Sequence, residues 1–229
     1  EEAFAAAAHV ARETIAQQAY AAVPMECRGA IGRYDAALDV AWREPVLEMR
    51  RQSDRMRGIV QDLLELSKME ASGEAESEPV DVCGMLALIR KDALARPEHP
   101  AVIELELDSD AWLLGGESEL HSIFANLVSN AVKYTPAEGR IDIRWWVDAS
   151  GGHVAVVDTG IGISAEHLPR LTERFYRVDA GRSRRLGGSG LGLAIVKHGL
   201  QRHGGRLEIV SREGQGSTFT CHFPSSRVQ

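Results

Sequence analysis

Mostly apolar side chains recur at alternating steps of three and four along the first seventy residues. The pattern occurs twice, first with small and then with larger side chains. The two sets are Phe4, Ala8, Ala11, Ile15, Gln18 and Ala22, and Met49, Gln52, Met56, Ile59, Leu63 and Leu66. This spacing is typical of a coiled-coil seam, and the segment is rich in Ala, Glu, Arg, Met and Leu, which favour helix. Residues 1–72 are therefore predicted to form a helical hairpin.

A short hairpin with two apolar seams buries little surface by itself. Pairing with a second copy into a dimeric four-helix bundle is one solution. A monomeric hairpin that packs against the rest of the chain is the other. We expect the dimer.

The stretch from Ala71 to Pro79 is small, acidic and without periodicity, so it is predicted to be a linker. Beyond it, strand patterns at 102–107, 141–147, 153–157, 206–210 and 218–223 alternate with helical patterns at 83–94, 118–133 and 191–203. The dipeptide Thr135-Pro136 should end the second of these helices, because a residue before proline avoids the helical region. Residues 73–229 are thus expected to form an α/β sandwich, and the whole chain an α+β fold.

Two glycine-rich turns interrupt these patterns. The first, Asp158 to Ile163, follows an apolar strand and contains Gly160 and Gly162. The second, Gly188 to Leu193, opens an apolar helix and contains Gly190, Leu191 and Gly192. Glycine lets a backbone approach a ligand closely, and a helix N-terminus behind such a turn favours anions. Together the two turns predict a nucleotide site.

Polar residues upstream support that prediction. Asn126 and Asn130 are four residues apart, and Lys133 follows three residues later, so all three lie on one helix face. Amide oxygens suit Mg²⁺, which takes its other ligands from water and phosphates, and a lysine ammonium can meet a phosphate. The alternative is an ordinary solvated helix face.

Asp158 stands at the end of a strand pattern, where a carboxylate can accept a hydrogen bond from an exocyclic amine such as that of adenine. An Asp-Thr-Gly turn between strands is the alternative interpretation. Between the glycine turns, residues 180–188 are rich in Gly and Arg and predict a mobile lid over the phosphates. Arg182, Arg184 and Arg185 would neutralise phosphate charge there, unless the loop is only solvated.

Composition narrows the classes of function. A net charge of -7 argues against a nucleic-acid partner. Cys27, Cys83 and Cys221 are odd in number and lack metal-ligand spacing, which favours a reduced, cytosolic setting. No run approaches the roughly 18 apolar residues of a membrane span, so this part of the protein is expected to contain no membrane segment.

The motifs resemble, in order and spacing, those of sensor histidine kinases, and in particular those of phosphate-regulon sensors. Asn126–Tyr134 is similar to the N box, Asp158–Gly162 to the G1 box, Arg174–Arg177 to the F box, Gly188–Leu193 to the G2 box and Gly214–Phe219 to the closing strand motif. Residues 49–70 resemble the second helix of the dimerisation and phosphotransfer domain. Gyrase-type and chaperone-type relatives share the nucleotide fold but lack an F box.

The resemblance implies ATP and Mg²⁺ as ligands, a homodimer, and a response-regulator receiver domain as partner. It adds Tyr134, Ile163, Arg177, Leu193 and Thr218 to the nucleotide-binding residues, and it assigns the metal to Asn130 first and Asn126 second. It also implies that the chain is the cytosolic part of an inner-membrane sensor.

The first helix departs from the family pattern. His9 is the only histidine before His99, and Arg12 stands where a basic residue is expected. Val10 replaces the usual acid, and Thr14 stands at the position of the usual proline. His9 is the expected phosphoacceptor. The alternative is an incidental surface histidine in a chain that binds ATP without autophosphorylating and serves as a scaffold or phosphatase.

Overall fold

The structure, a computed structural model, describes residues 39–71, 77–96, 99–100, 102–178 and 189–229. The first predicted seam, His9, and the segment 179–188 with Gly188 and its three arginines lie outside the described residues. The described residues from Pro45 onward belong to one compact unit.

The described chain contains four α-helices and seven strands. In chain order they are α1 (Asp39–Ala71), β1 (Glu78–Val80), α2 (Val82–Leu94), β2 (Val102–Leu107), β3 (Leu113–Gly115), α3 (Glu117–Tyr134), β4 (Arg140–Asp148), β5 (Gly151–Asp158), α4 (Gly192–Arg202), β6 (Arg206–Arg212) and β7 (Gly216–Pro224). Short 3-10 helices span Leu168–Arg170 and Ser225–Arg227.

Local sequence explains where two of the helices begin and end. At the start of α2, the Asp81 carboxylate accepts a hydrogen bond of 3.0 Å from the backbone nitrogen of Gly84 and so caps the helix. Helix α3 carries Glu117 and Glu119 in its first turn, where carboxylates complement the helix dipole. It ends at Tyr134, and the extended backbone of the next residue, Thr135, precedes Pro136 as the sequence predicts.

Five strands form the main sheet, in the order β2-β4-β5-β7-β6. Strands β2 and β4 pair in parallel, and the other neighbours are antiparallel. Strands β1 and β3 form a separate two-stranded sheet. Strand β5 is the central strand and is mostly buried. It ends at Asp158, so that carboxylate lies at the C-terminal end of the central strand.

One face of the main sheet packs against helices α2, α3 and α4. Strand β4 alternates, and Ile141, Ile143 and Trp145 point into the core with no exposed surface. From the helices, the core receives Leu86, Leu120, Ile123, Phe124, Leu127, Val196 and Leu200. This is a two-layer sandwich with the helices on one side.

Helix α1 adds a smaller apolar cluster to the same unit. Leu66 and Met69, which are 2% and 4% exposed, pack with Leu191 and Ile195 of the α4 region. Met49, Met56 and Leu63 of the predicted second seam are exposed instead. The α1 helix therefore has two apolar faces, one covered by α4 and one open in the single chain.

The fold prediction is confirmed: the chain has an α+β fold with an α/β sandwich, and every predicted strand lies within an observed strand. The sequence patterns missed β1 and β3, each only three residues long. Glu78 and Pro79, predicted to end the linker, lie in β1. The domain boundary at residues 72 and 73 stays a prediction. In the described part of the chain, no helix is both long and apolar enough to cross a membrane.

We predict that the α1 cluster stabilises the fold measurably. Leu66→Ala should lower the free energy of unfolding by about 2–4 kcal/mol, because it removes buried methyl groups and leaves a cavity. Leu88→Ala, at a half-exposed position of α2, should change it by only about 0.5 kcal/mol. Urea denaturation of the two variants makes the comparison, and equal losses would contradict the packing role of Leu66.

Candidate functional site

Asp158 lies at the end of β5 on the helix-facing side of the sheet and is only 5% exposed. Its carboxylate accepts a hydrogen bond of 2.8 Å from the backbone nitrogen of Gly160. Burial raises the pKa of Asp158 above its ordinary value, while hydrogen bonds from Gly160 and Ser217 partly oppose that shift. A buried carboxylate held in this way is poised to accept a hydrogen bond from a ligand.

The turn after Asp158 is held by backbone contacts that require glycine. The Ile161 nitrogen donates to the Tyr134 oxygen at the end of α3, at 3.2 Å. A Cβ on Gly160 would lie 2.5 Å from that same oxygen. Gly162 has φ +65°, and a Cβ there would lie 2.0 Å from the Arg212 carbonyl oxygen. Both glycines are therefore required sterically.

The other end of this turn is tied to the β6–β7 hairpin. The Ile163 nitrogen donates to the Ser211 hydroxyl at 2.8 Å, and the Gly214 nitrogen donates to the Ile161 oxygen at 2.7 Å. The predicted closing motif thus supports the predicted G1 turn through the hydrogen bond of Gly214, and Ser211 of β6 adds a second support.

Asn126 and the second glycine turn also meet. A Cβ on Gly192 would lie 2.6 Å from Asn126 Oδ1, so a larger residue at the start of α4 would displace that amide. The Asn126 amide nitrogen donates to the Ser122 carbonyl oxygen at 2.9 Å, which turns the amide oxygen toward α4. Helix α4 has no side-chain cap at its N-terminus. Its first N–H groups are therefore available to an anion.

Two cations lie beside these elements. Lys133 is half-buried in the last turn of α3, and burial together with the positive charges of Arg177 and Arg55 lowers its pKa to about 8. The Nε and Nη2 atoms of Arg177 are buried without a hydrogen-bond partner among the described residues. Buried polar nitrogens are nearly always paired in proteins, so these atoms point to a missing acceptor.

The predicted F box and G2 box are joined through their backbones. Phe175 has φ +62°, which is unusual for a residue other than glycine. Its nitrogen donates to the Gly190 carbonyl oxygen at 2.9 Å. A Cβ on Gly190, at φ +77°, would come within 2.9 Å of the Phe175 backbone. Strained backbone of this kind concentrates at functional sites.

Thr218 lies on the face of the sheet opposite to the side chain of Asp158. Strands alternate, and the core residue Phe219 fixes which side each neighbour takes. Thr218 pairs with Val157 and Val210 on the opposite face, whereas Ser217 is directly opposite Asp158. Sequence reasoning missed Ser217, although the period-two alternation from Phe219 was a sufficient signal.

Asn130 lies one turn after Asn126 on α3 and is half-buried, as is Leu193 in the first turn of α4. Within the described ranges, no group of three or more His, Cys, Asp or Glu side chains is placed to hold a metal ion. The amide oxygens of Asn126 and Asn130, together with the phosphates of a ligand, would be a donor set that suits Mg²⁺.

Comparison with known proteins agrees with this geometry. Residues 115–227 match the family described as histidine kinase-, DNA gyrase B-, and HSP90-like ATPase. This part of the chain belongs to that family.

The chain is 53% identical over 189 residues to the phosphate regulon sensor protein PhoR of Pseudomonas aeruginosa, a match that covers 82% of the chain and 43% of that protein. It is 38% identical over 186 residues to PhoR of Haemophilus influenzae, covering 81% and 44%. It therefore spans less than half the length of these two relatives.

Solved structures show the same likeness. Full-length ShkA in complex with AMPPNP superposes with a TM-score of 0.66 at 29% identity, over 80% of this chain and 38% of that one. The mycobacterial sensor histidine kinase MprB gives 0.52 at 28% identity, over 65% and 97%. The chain thus resembles the core of sensor histidine kinases, and of PhoR in particular.

Proposed function

We propose that the chain binds Mg·ATP, autophosphorylates on a histidine and passes the phosphoryl group to an aspartate of a response regulator. The observation that carries the proposal is a buried, desolvated carboxylate, Asp158, in the same site as buried guanidinium nitrogens of Arg177 that have no acceptor among the described residues. The first group suits the amine of an adenine ring, and the second suits a phosphate.

The nucleotide would lie between α3, α4 and the turn after β5. Asp158 would accept from the exocyclic amine, with Gly160, Gly162 and Ile163 shaping the floor. Tyr134 lies at the end of α3 beside this turn, where its backbone oxygen accepts from Ile161. Thr218 remains proposed only as a support on the far face of the sheet, and Ser217 is the better candidate for contact with Asp158.

The phosphates would lie toward Lys133, Arg177 and the start of α4, where Gly190, Gly192 and Leu193 present backbone N–H groups. The Leu191 nitrogen already donates to the Ser189 hydroxyl and would hold the turn in shape. Asn130, and then Asn126, would hold Mg²⁺, which offsets phosphate charge when it is bound. The hydrogen bonds that the Asn126 amide nitrogen donates to Ser122 fix the orientation of that amide and leave its oxygen as an acceptor. The resemblance to the family makes Asn130 the first choice.

In the proposed reaction, a ring nitrogen of His9 attacks the γ-phosphorus while the bond to the β,γ-bridging oxygen breaks. ADP leaves with the electron pair of that bond, and a base accepts the imidazole proton. The protein contributes positioning and charge neutralisation. The phosphoryl group then passes to an aspartate of a receiver domain. A homodimer through the helical hairpin, in the cytosolic part of an inner-membrane sensor, completes the proposal.

A second function is favoured by the sequence around His9. Val10 occupies the position where the family has an acid. A chain without that acid would bind ATP but transfer phosphate slowly, and would act as a dimeric scaffold or as a phosphatase of the regulator.

The adenine-binding role of Asp158 gives a direct prediction. Asp158→Asn should weaken binding of the non-hydrolysable analogue AMP-PNP about thirtyfold, or about 2 kcal/mol, because an acceptor oxygen becomes a donor that faces the amine. Asp108→Asn, which removes the same charge at an exposed position beyond β2, is the control. Calorimetry that finds equal affinities for the two variants would refute this role.

The lowered pKa of Lys133 predicts that the affinity for the nucleotide depends on pH. In the free protein its pKa is lowered to about 8 from an ordinary value of 10.5, and a bound phosphate should raise it again. Between those values the free lysine has lost its proton and the complex retains it. Binding should therefore take up a proton, and the affinity should fall as pH rises above 8.

Calorimetry at pH 9 in two buffers of different ionisation enthalpy measures that proton uptake. Lys133→Met should abolish it, and Lys197→Met, at an exposed position of α4, should leave it intact. Persistence of the uptake in Lys133→Met would assign the proton to another group.

Incubation with γ-labelled Mg·ATP separates the two proposed functions. We expect slow, acid-labile labelling that His9→Gln abolishes, because a missing general base typically costs about 10²–10⁴-fold in rate. Labelling that survives His9→Gln would exclude His9 as the acceptor. ATP binding without any labelling would favour the scaffold or phosphatase.

A further inference from the structure

One face of α1 is covered over four turns. From Arg55 onward, the less exposed positions of this helix recur at steps of three and four, namely Arg55, Gly58, Ile59, Asp62, Glu65, Leu66 and Met69. Positions at these steps lie on a single side of a helix. At its C-terminal end this side contacts Leu191 and Ile195 through Leu66 and Met69.

The same face reaches the glycine turn that opens α4. The Ser189 hydroxyl donates to the Asp62 carboxylate at 2.5 Å and accepts from the Leu191 nitrogen at 3.1 Å. Arg174 forms an ion pair with Glu70. Arg55 precedes Asp62 by two helical turns on this face. It therefore lies on the side of α1 that faces the candidate nucleotide site.

Arg55 differs from the neighbouring arginines of α1. Arg51 and Arg57 are well exposed and pair with Glu48 and Asp54 on their own helix. Arg55 is half-buried, and its Nε is inaccessible to solvent and has no hydrogen-bond partner in the described part of the chain. An unpaired, desolvated guanidinium nitrogen costs free energy unless an acceptor arrives.

The surroundings of Arg55 are positive. Its charge and that of Arg177 both act on Lys133, and none of the three cations forms an ion pair among the described residues. The carboxylates nearest in sequence, Asp54 and Asp62, are already engaged with Arg57 and Ser189. Three clustered cations repel one another, so the site is incomplete without an anion that carries several charges.

We propose that Arg55 of α1 binds the phosphate chain of the nucleotide together with Lys133 and Arg177. The inference rests on the proposed nucleotide binding and extends it. The phosphate site is formed jointly by the second helix of the hairpin and by the ATPase domain. Affinity then increases with the number of phosphates, and a triphosphate links α1 to the sheet domain more strongly than a monophosphate does.

The test compares AMP, ADP and AMP-PNP binding to the full chain in the presence of Mg²⁺, by calorimetry. Arg55→Gln should weaken AMP-PNP binding about tenfold, the lower end for a charged hydrogen bond at a half-buried position. It should leave AMP binding unchanged. Arg57→Gln, at a well-exposed position of the same helix that pairs with Asp54, should leave all three affinities unchanged.

A second variant separates charge from packing. Arg55→Lys keeps the positive charge and should retain most of the affinity for AMP-PNP. Without nucleotide, Arg55→Gln should melt no lower than the Arg57→Gln control, because it removes a half-buried guanidinium whose Nε has no partner among the described residues. AMP-PNP should raise its melting temperature less than it raises that of the control.

Two results would overturn the inference while leaving nucleotide binding in place: unchanged AMP-PNP affinity in Arg55→Gln, or equal loss for AMP, ADP and AMP-PNP. The second result would show that Arg55 only supports helix packing. If the unsubstituted chain bound none of the three nucleotides, the proposed function would fail, and this inference with it.

Discussion

The burial of one carboxylate at the end of the central strand constrains much of the surrounding structure. Asp158 loses water on folding, and this loss is tolerated because the Gly160 nitrogen and Ser217 donate to it. Those donors require a tight turn, and the turn requires glycines where the end of α3 and the β6–β7 hairpin approach. The carboxylate, the turn after β5, the β6–β7 loop and the end of α3 are therefore joined by one set of hydrogen bonds and close backbone contacts.

The α1 helix has two different apolar surfaces. Leu66 and Met69 are covered by α4 within one chain, whereas Met56 and Leu63 remain exposed. Exposed apolar residues in a row on a helix favour a partner surface, which agrees with the proposed bundle. Because the covered face also carries Asp62 and Arg55, a rotation of α1 in a dimer would alter its contacts with Ser189 and with the proposed phosphate site at the same time.

The sequence predicted the elements that have long periodic patterns, but it did not predict the contacts between elements that are distant in the chain. Alternation in β4 and the proline stop after α3 gave correct elements because both act locally. Strands β1 and β3 escaped because three residues carry too little periodicity, and each is stabilised by its partner. In the site, Asp158 and the glycines were evident from spacing. Arg55 was not, since its position beside the site depends on how Leu66 and Met69 pack against a helix that lies far along the chain.

That packing also has a consequence for synthesis of the protein. Leu66 and Met69 leave the ribosome long before Leu191 and Ile195, which cover them in the finished fold. At ordinary elongation rates the delay is on the order of ten seconds. During this time the side chains of Leu66 and Met69 remain exposed to solvent. Throughout that interval the covered and the open faces of α1 are equally available to a neighbouring nascent chain. The covered face stops being available once Leu191 and Ile195 have been made and pack on it, whereas the open face stays available.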